Sequence, residues 1–206
     1  MPFVQKKNAS DAAQTTNQTP DLETLLTQLV STQASERRVA ARLLGEHASS
    51  SEALCEQLWR EKEASVREVI MTTLTTLGDE DAIDTLILCL RSEDASIRNE
   101  AIEAMKQLPA AMGPHIEDLL EDADADVRLF TVNVLSALAH HDTEKWLCKV
   151  LKEEDNVNVC GAALDVLTEI GTRASKDPIQ TVCRKFPQNA YIQFAAKLAL
   201  KRIGEG

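Results

Sequence analysis

The sequence predicts an all-α fold, a right-handed α-solenoid (superhelix) of about six stacked helical hairpins. Composition is the first observation: among 206 residues, 44% are hydrophobic but only 3% aromatic, and glycine occurs 7 times. Ala, Leu, Glu, Thr and Asp abound, which favours helices over long strands. The second is a repetition. DASIRNEAIEAMKQL, from Asp94 to Leu108, returns thirty residues later as DADVRLFTVNVLSAL, from Asp124 to Leu138. The third is that this skeleton recurs along the chain at a nearly constant step, the mark of stacked supersecondary units rather than of one closed core.

Residues 1–20, MPFVQKKNASDAAQTTNQTP, are rich in Asn, Gln, Thr and Ser and have no apolar period. A disordered polar tail is expected there, and no secretory apolar region is present. The repeat domain is expected over 21–206. Its second helices read ASERRVAARLLGEHA from Ala34, ASVREVIMTTLTTLG from Ala64, the two segments above, VNVCGAALDVLTEIG from Val157 and AYIQFAAKLALKRIG from Ala190. Anchored on Arg37, Arg67, Arg98, Arg128, Cys160 and Gln193, the steps are 30, 31, 30, 32 and 33 residues. A preceding amphipathic segment, such as AIDTLILCLRS from Ala82, EDLLED from Glu117 or KWLCKVLKEE from Lys145, makes each unit a pair, helix A then helix B.

Within helix B the apolar positions fall at helical spacing. Ile97, Ala101, Met105 and Leu108 in the third unit match Val127, Thr131, Leu135 and Leu138 in the fourth, and these columns are expected to form the core. Asp94, Asp124, Asn156 and Asn189 stand four before their anchors, where a side chain can accept from the free N–H groups of a helix start. Gly78, Gly171 and Gly204 stand eleven after theirs, where a left-handed C-cap is expected.

The pattern D-x-x-V/I-R opening the second helix of an αα unit of about thirty residues resembles HEAT repeats, in the short form named after phycobilisome lyases. The resemblance covers Asp21 to Gly206. It implies a ladder in which each repeated Arg meets a carboxylate or carbonyl of a neighbouring unit. Arg67, Arg98 and Arg128, with Asp94 and Asp124, match that pattern; Cys160 and Gln193 interrupt it in the last two units.

The charge of −11 is unevenly placed. Between Asp79 and Asp126 fourteen acidic residues face only Arg91, Arg98 and Lys106, so this stretch carries the whole imbalance. A nucleic-acid partner needs a basic face and is excluded. No run approaches the roughly 18 apolar residues of a membrane helix, and a cytoplasmic chain is expected. Cys55, Cys89, Cys148, Cys160 and Cys183 form no C-x-x-C pair, and reduced, mostly buried thiols are expected.

Helix B usually lines the concave side of such an array, so the residues one and five past each anchor mark the candidate surface. The candidate partner-binding set is Glu68, Asn99, Glu100, Glu103, Leu129, Phe130, Asn133, Asp165, Phe194 and Leu198. This surface is acidic and polar in the middle and apolar at the last unit. Leu129 and Phe130 are expected to be exposed apolar anchors. Phe194 and Leu198, in a unit without a successor, are expected either to lie under the C-terminal residues or to meet another molecule, with self-association as one outcome.

No catalytic, metal or cofactor set emerges. DADADV (Asp122 to Val127) begins like a calcium loop, but Val127 replaces the required Gly and Asn133 the bidentate Glu. His140, His141 and Asp142 are read as a surface loop. The di-iron branch of HEAT-like proteins uses several His-Glu pairs, whereas here only Glu46-His47 occurs, reversed. The phycobilin-lyase branch is disfavoured by few aromatics: Trp59, Trp146, Tyr191 and four Phe. The expectation is therefore a non-catalytic adaptor, with no cofactor or metal, that binds a protein bearing a basic region on its helix-B face. The alternative is an accessory subunit of a lyase-type or metalloenzyme-maturation system, holding a cofactor or an apo-protein.

Overall fold

In a computed structural model the chain is described over residues 20–205, and the expected disordered tail at 1–20, save its last residue Pro20, lies outside these residues. Six antiparallel helical hairpins follow one another and stack as an α-solenoid. They are α1 (Leu22–Leu29) with α2 (Ala34–Leu43), α3 (Ser51–Arg60) with α4 (Ala64–Leu77), and α5 (Glu80–Cys89) with α6 (Ala95–Met105). The fourth pairs a broken helix A, α7 (Pro109–Met112) and α8 (Ile116–Leu120), with α9 (Ala125–Leu135). The last two are α10 (Thr143–Glu153) with α11 (Val157–Ile170), and α12 (Lys176–Lys185) with α13 (Ala190–Glu205). No strand occurs among the described residues.

The helix starts follow their capping residues. Asp94 accepts from Ser96 N, Asp124 from Asp126 N, Asn156 from Asn158 N and Val159 N, and Asn189 from Ile192 N, so orphan donors at four helix-B starts are satisfied. Asp21 and Asp79 do the same for α1 and α5. Of the three expected left-handed glycines, only Gly78 is one, with φ 57°. Gly171 is extended (φ −61°, ψ 140°) because the chain turns directly into the next unit, and Gly204 lies within α13. The fourth helix A is split because Gly113-Pro114 cannot continue a regular helix there; a 3-10 turn over Gly113–His115 bridges the pieces.

The core runs the length of the array between helix layers. The predicted column residues Ala101, Met105, Val127, Thr131, Leu135 and Leu138 are buried, while Ile97 and Leu108 are half-buried. Burial also covers Cys89 and Cys160, pushing their thiols up to about 12 and about 11; the other three cysteines are half-buried and all five are free.

The arginine ladder holds successive units together in two ways. Arg37 donates to Ser31 O and Thr32 O at the start of its own helix B and forks onto Glu61 of the next unit through Nε (2.8 Å) and Nη2 (2.7 Å). Arg128 repeats this with Asp122 O, Ala123 O and Glu154. Arg98 has no such carboxylate. It donates to Ser92 O and Glu93 O, and its guanidinium lies 5.5 Å from the centre of the Phe130 ring. Where Arg is missing, weaker donors take the same place. Cys160 Sγ approaches Glu154 O at 3.4 Å, and Gln193 Nε2 donates to Cys183 O and Phe186 O.

Candidate functional site on the helix-B face

Arg67 departs from this pattern. Its side chain turns toward the third unit, where Nη2 donates to Ser96 Oγ at 3.0 Å and Nε stops 3.7 Å from Glu100 Oε2. Both Nε and Oε2 are shielded from solvent, and neither has a hydrogen-bond partner. Burial pushes the Glu100 carboxyl up, against the pull of Arg67, and the nearby Asp94 and Glu68 push it in the same direction.

Above this pair lies a groove of about 620 Å³ between α4 and α6, the helices B of the second and third units. One wall is built by Glu68, Met71, Thr72, Thr75 and Thr76, the other by Asn99, Glu100, Glu103, Ala104 and Gln107. Those spacings of three, four and seven place each set on one helix stripe. Glu103 is paired with Lys106 at 2.7 Å, whereas Glu68 and Glu100 receive no hydrogen bond from a cation.

Four of the predicted surface residues thus meet in one groove: Glu68, Asn99, Glu100 and Glu103. The others are placed elsewhere. Leu129 and Phe130 are half-buried rather than exposed, because Phe130 packs beneath Arg98. Asn133 is exposed further along the same face. Asp165 accepts from Tyr191 Oη at 2.5 Å, which ties α11 to α13 and raises the tyrosine pKa to about 12. Phe194 and Leu198 are 66% and 48% exposed, and with Tyr191 they form an apolar ridge on α13.

Sequence reasoning missed Met71, Thr75, Thr76, Ala104 and Gln107. The signal was their place four, six, eight or nine past the anchors, on helical stripes beside the chosen columns. His140, His141 and Asp142 are close enough for their ligand atoms to lie within 4.8 Å of one another. His140 Nδ1, however, accepts from Asp142 N at 3.1 Å, and the ring stacks between His141 and Trp146. Those contacts account for the cluster as a packed loop. No helix among the described residues is long and apolar enough to cross a membrane.

Stacked helical pairs with a capped, arginine-anchored second helix define a helical-repeat protein. The chain belongs to the HEAT-repeat family, whose model matches residues 22–107 and 113–205. It is similar to the bilin biosynthesis protein PecE of Mastigocladus laminosus, 28% identical over 174 residues, which is 82% of this chain and 61% of that protein. The chain therefore spans less than two thirds of the relative's length. Among solved structures it resembles the CpcE–CpcF complex of phycocyanin lyase from Nostoc sp. PCC7120, at 20% identity, TM-score 0.38 and 99% coverage of each chain. It also resembles an archaeal HEAT-like repeats protein from Thermococcus onnurineus NA1, at 18% identity, TM-score 0.47, and 88% and 86% coverage.

Similarity to a bilin biosynthesis protein corrects one expectation: the non-catalytic reading does not stand. It leaned on the scarcity of aromatic rings, but aromatic stacking is only one way to hold a flat ligand, and hydrogen-bonding walls are another.

Proposed function

We propose that the chain is a subunit of a lyase-type system for bilin-bearing proteins and that its helix-B face receives the protein partner. The observation that carries this reading is the groove between α4 and α6, lined by the carboxylates of Glu68, Glu100 and Glu103 and by three threonines. Its size lies within the range of small-molecule sites. Its carboxylates accept hydrogen bonds from N–H donors on the partner protein. The acidic stretch from Asp79 to Asp126 supplies one wall of the groove and favours a partner with a basic region, by speeding encounter more than by tightening the final complex. Self-association through the C-terminal repeat belongs to the same reading, supported by the exposed Tyr191, Phe194 and Leu198 ridge.

The test is co-expression of the chain with an apo-phycobiliprotein and a bilin supply, with and without a second HEAT-repeat subunit. A coloured adduct on the apo-protein that survives denaturing electrophoresis only when this chain is present supports the reading. Adduct formation independent of this chain in every combination rejects it.

A further inference from the structure

We infer that the groove between α4 and α6 is a seat for an arginine side chain of the partner, with Glu100 and Glu68 as its acceptors. This rests on the reading that the helix-B face holds a protein, and it names the group recognised there. The first ground is the polarity of the walls. Thr72, Thr75 and Thr76 spend their hydroxyl protons on Glu68 O, Met71 O and Thr72 O, at 2.9, 2.7 and 2.9 Å. Gln107 Nε2 donates to Glu103 O at 3.1 Å. What the threonines still offer is oxygen lone pairs. The lining carboxylates add only acceptors, and the donors left over are the Asn99 amide and the second N–H of Gln107.

The second ground is independent of the acidic cluster and lies beneath it. Arg67, 8% exposed, comes within 3.7 Å of Glu100 without a hydrogen bond, and both facing atoms are unpartnered. At the corresponding points of the ladder, Arg37 and Arg128 meet their carboxylates at 2.7 and 2.6 Å. Glu100 Oε2 is thus shielded beside Arg67, and the carboxylate's other oxygen, which receives no hydrogen bond, is what the groove presents to a ligand.

A wall of acceptors over an under-paired carboxylate selects a ligand made of donors. A guanidinium presents five N–H groups in a planar fork and no acceptor, and it stays charged, so it fits both requirements. Lysine supplies a point charge with three donors and would reach fewer of the oxygens at once. A bilin's carboxylates would be repelled here, which separates this seat from any chromophore subsite.

The experiment is a titration of the full-length chain with N-acetyl-Gly-Arg-Gly-amide, followed by two-dimensional NMR. Its controls are the peptides with citrulline or lysine in place of arginine. Expected are saturable shifts at Thr72, Thr75, Thr76 and Asn99, with affinity falling by about tenfold or more for citrulline and for the folded Glu100→Gln variant. Should Glu100→Gln fail to fold, Glu68→Gln, at an exposed position, carries the same test.

Three results overturn the inference: no groove shifts, equal binding of the citrulline or lysine peptide, or shifts of the same size at Asp94 and Asp124, which mean diffuse counter-ion behaviour only. Because this readout involves no bilin, its failure leaves the adduct experiment standing, and the reverse also holds.

Discussion

Arg37 grips Glu61 with two hydrogen bonds, Nε to Oε2 at 2.8 Å and Nη2 to Oε1 at 2.7 Å, and so ties the first repeat to the second. The Glu61 side chain is 1% exposed and also caps the backbone N–H groups of Lys62 and Glu63, while Gln57 donates to it from α3. Led by the Arg37 hydrogen bond and opposed by burial, these donors pull the carboxyl from 4.5 to about 2.

The sign of the pH effect follows from that shift. As pH falls, the unfolded chain takes up this proton first, so the stabilisation is complete above the ordinary carboxyl range and is lost between about 4.5 and 2. It is worth about 3 kcal/mol. Glu61→Gln should lower stability at pH 7 by roughly that amount and much less near pH 2, read from urea midpoints at both pH values. Equal losses at the two pH values would remove the fork from the account.

Glu100 should behave in the opposite sense. Its carboxyl is pushed up by burial, so the folded state binds its proton more readily than the unfolded chain, and ionisation of this group above its ordinary range costs stability. Glu100→Gln is expected to melt within a few degrees of the parent at pH 7. A loss as large as that of Glu61→Gln would mean that Arg67 and Glu100 form a tight pair in solution.

Arg98→Ala and Arg128→Ala separate the two kinds of ladder rung. Both leave loop carbonyls unsatisfied, at roughly 1–3 kcal/mol. Arg128→Ala additionally strands Glu154, whose side chain is 9% exposed, and should cost the more of the two by denaturant unfolding.

Two glycines make a backbone test. Gly78 adopts φ 57°, where a Cβ is strained, so Gly78→Ala should destabilise by about 1 kcal/mol. Gly204 sits in α13 with open space where a Cβ would project, and Gly204→Ala should be neutral or slightly stabilising. Thermal melts of the two variants decide the pair.

For a verified protein partner, reversal of Glu100 and Glu103 to Lys should slow association, with rising salt blunting the difference. Phe194→Ser with Leu198→Ser should abolish any concentration-dependent self-association in sedimentation without altering the helical content. Retained self-association would move that contact away from α13.

The repeat was legible because each unit spells out its own helix-B start. The capping side chain, the apolar residue and the anchor lie within five positions, all local. The acids that complete the forks were not legible, since Glu61 and Glu154 stand 24 and 26 residues past Arg37 and Arg128, in loops whose position six before the anchor is an acid in some units and serine in others. The groove was half legible. Helical stripes named Glu68, Asn99, Glu100 and Glu103, but the orphaned atoms of Arg67 and Glu100 emerge only when α4 and α6 are set side by side. Phe130 was misjudged because its cover, Arg98, comes from another unit.

The split helix over Pro109–Leu120 also bears on how the molecule would respond to load. The first and second units, and the fourth and fifth, are joined by well-shielded guanidinium–carboxylate clasps. The third and fourth are joined instead by Arg98 against Phe130 and by the Arg91–Asp122 pair, and the helix A that enters the fourth unit is split in place of a continuous rod. Because each unit leans only on its neighbours, tension applied at the two ends is borne in series, and a series chain parts at its softest link. Stretched in an optical trap, the protein should give way first at that seam, leaving two three-unit springs that unravel at higher force.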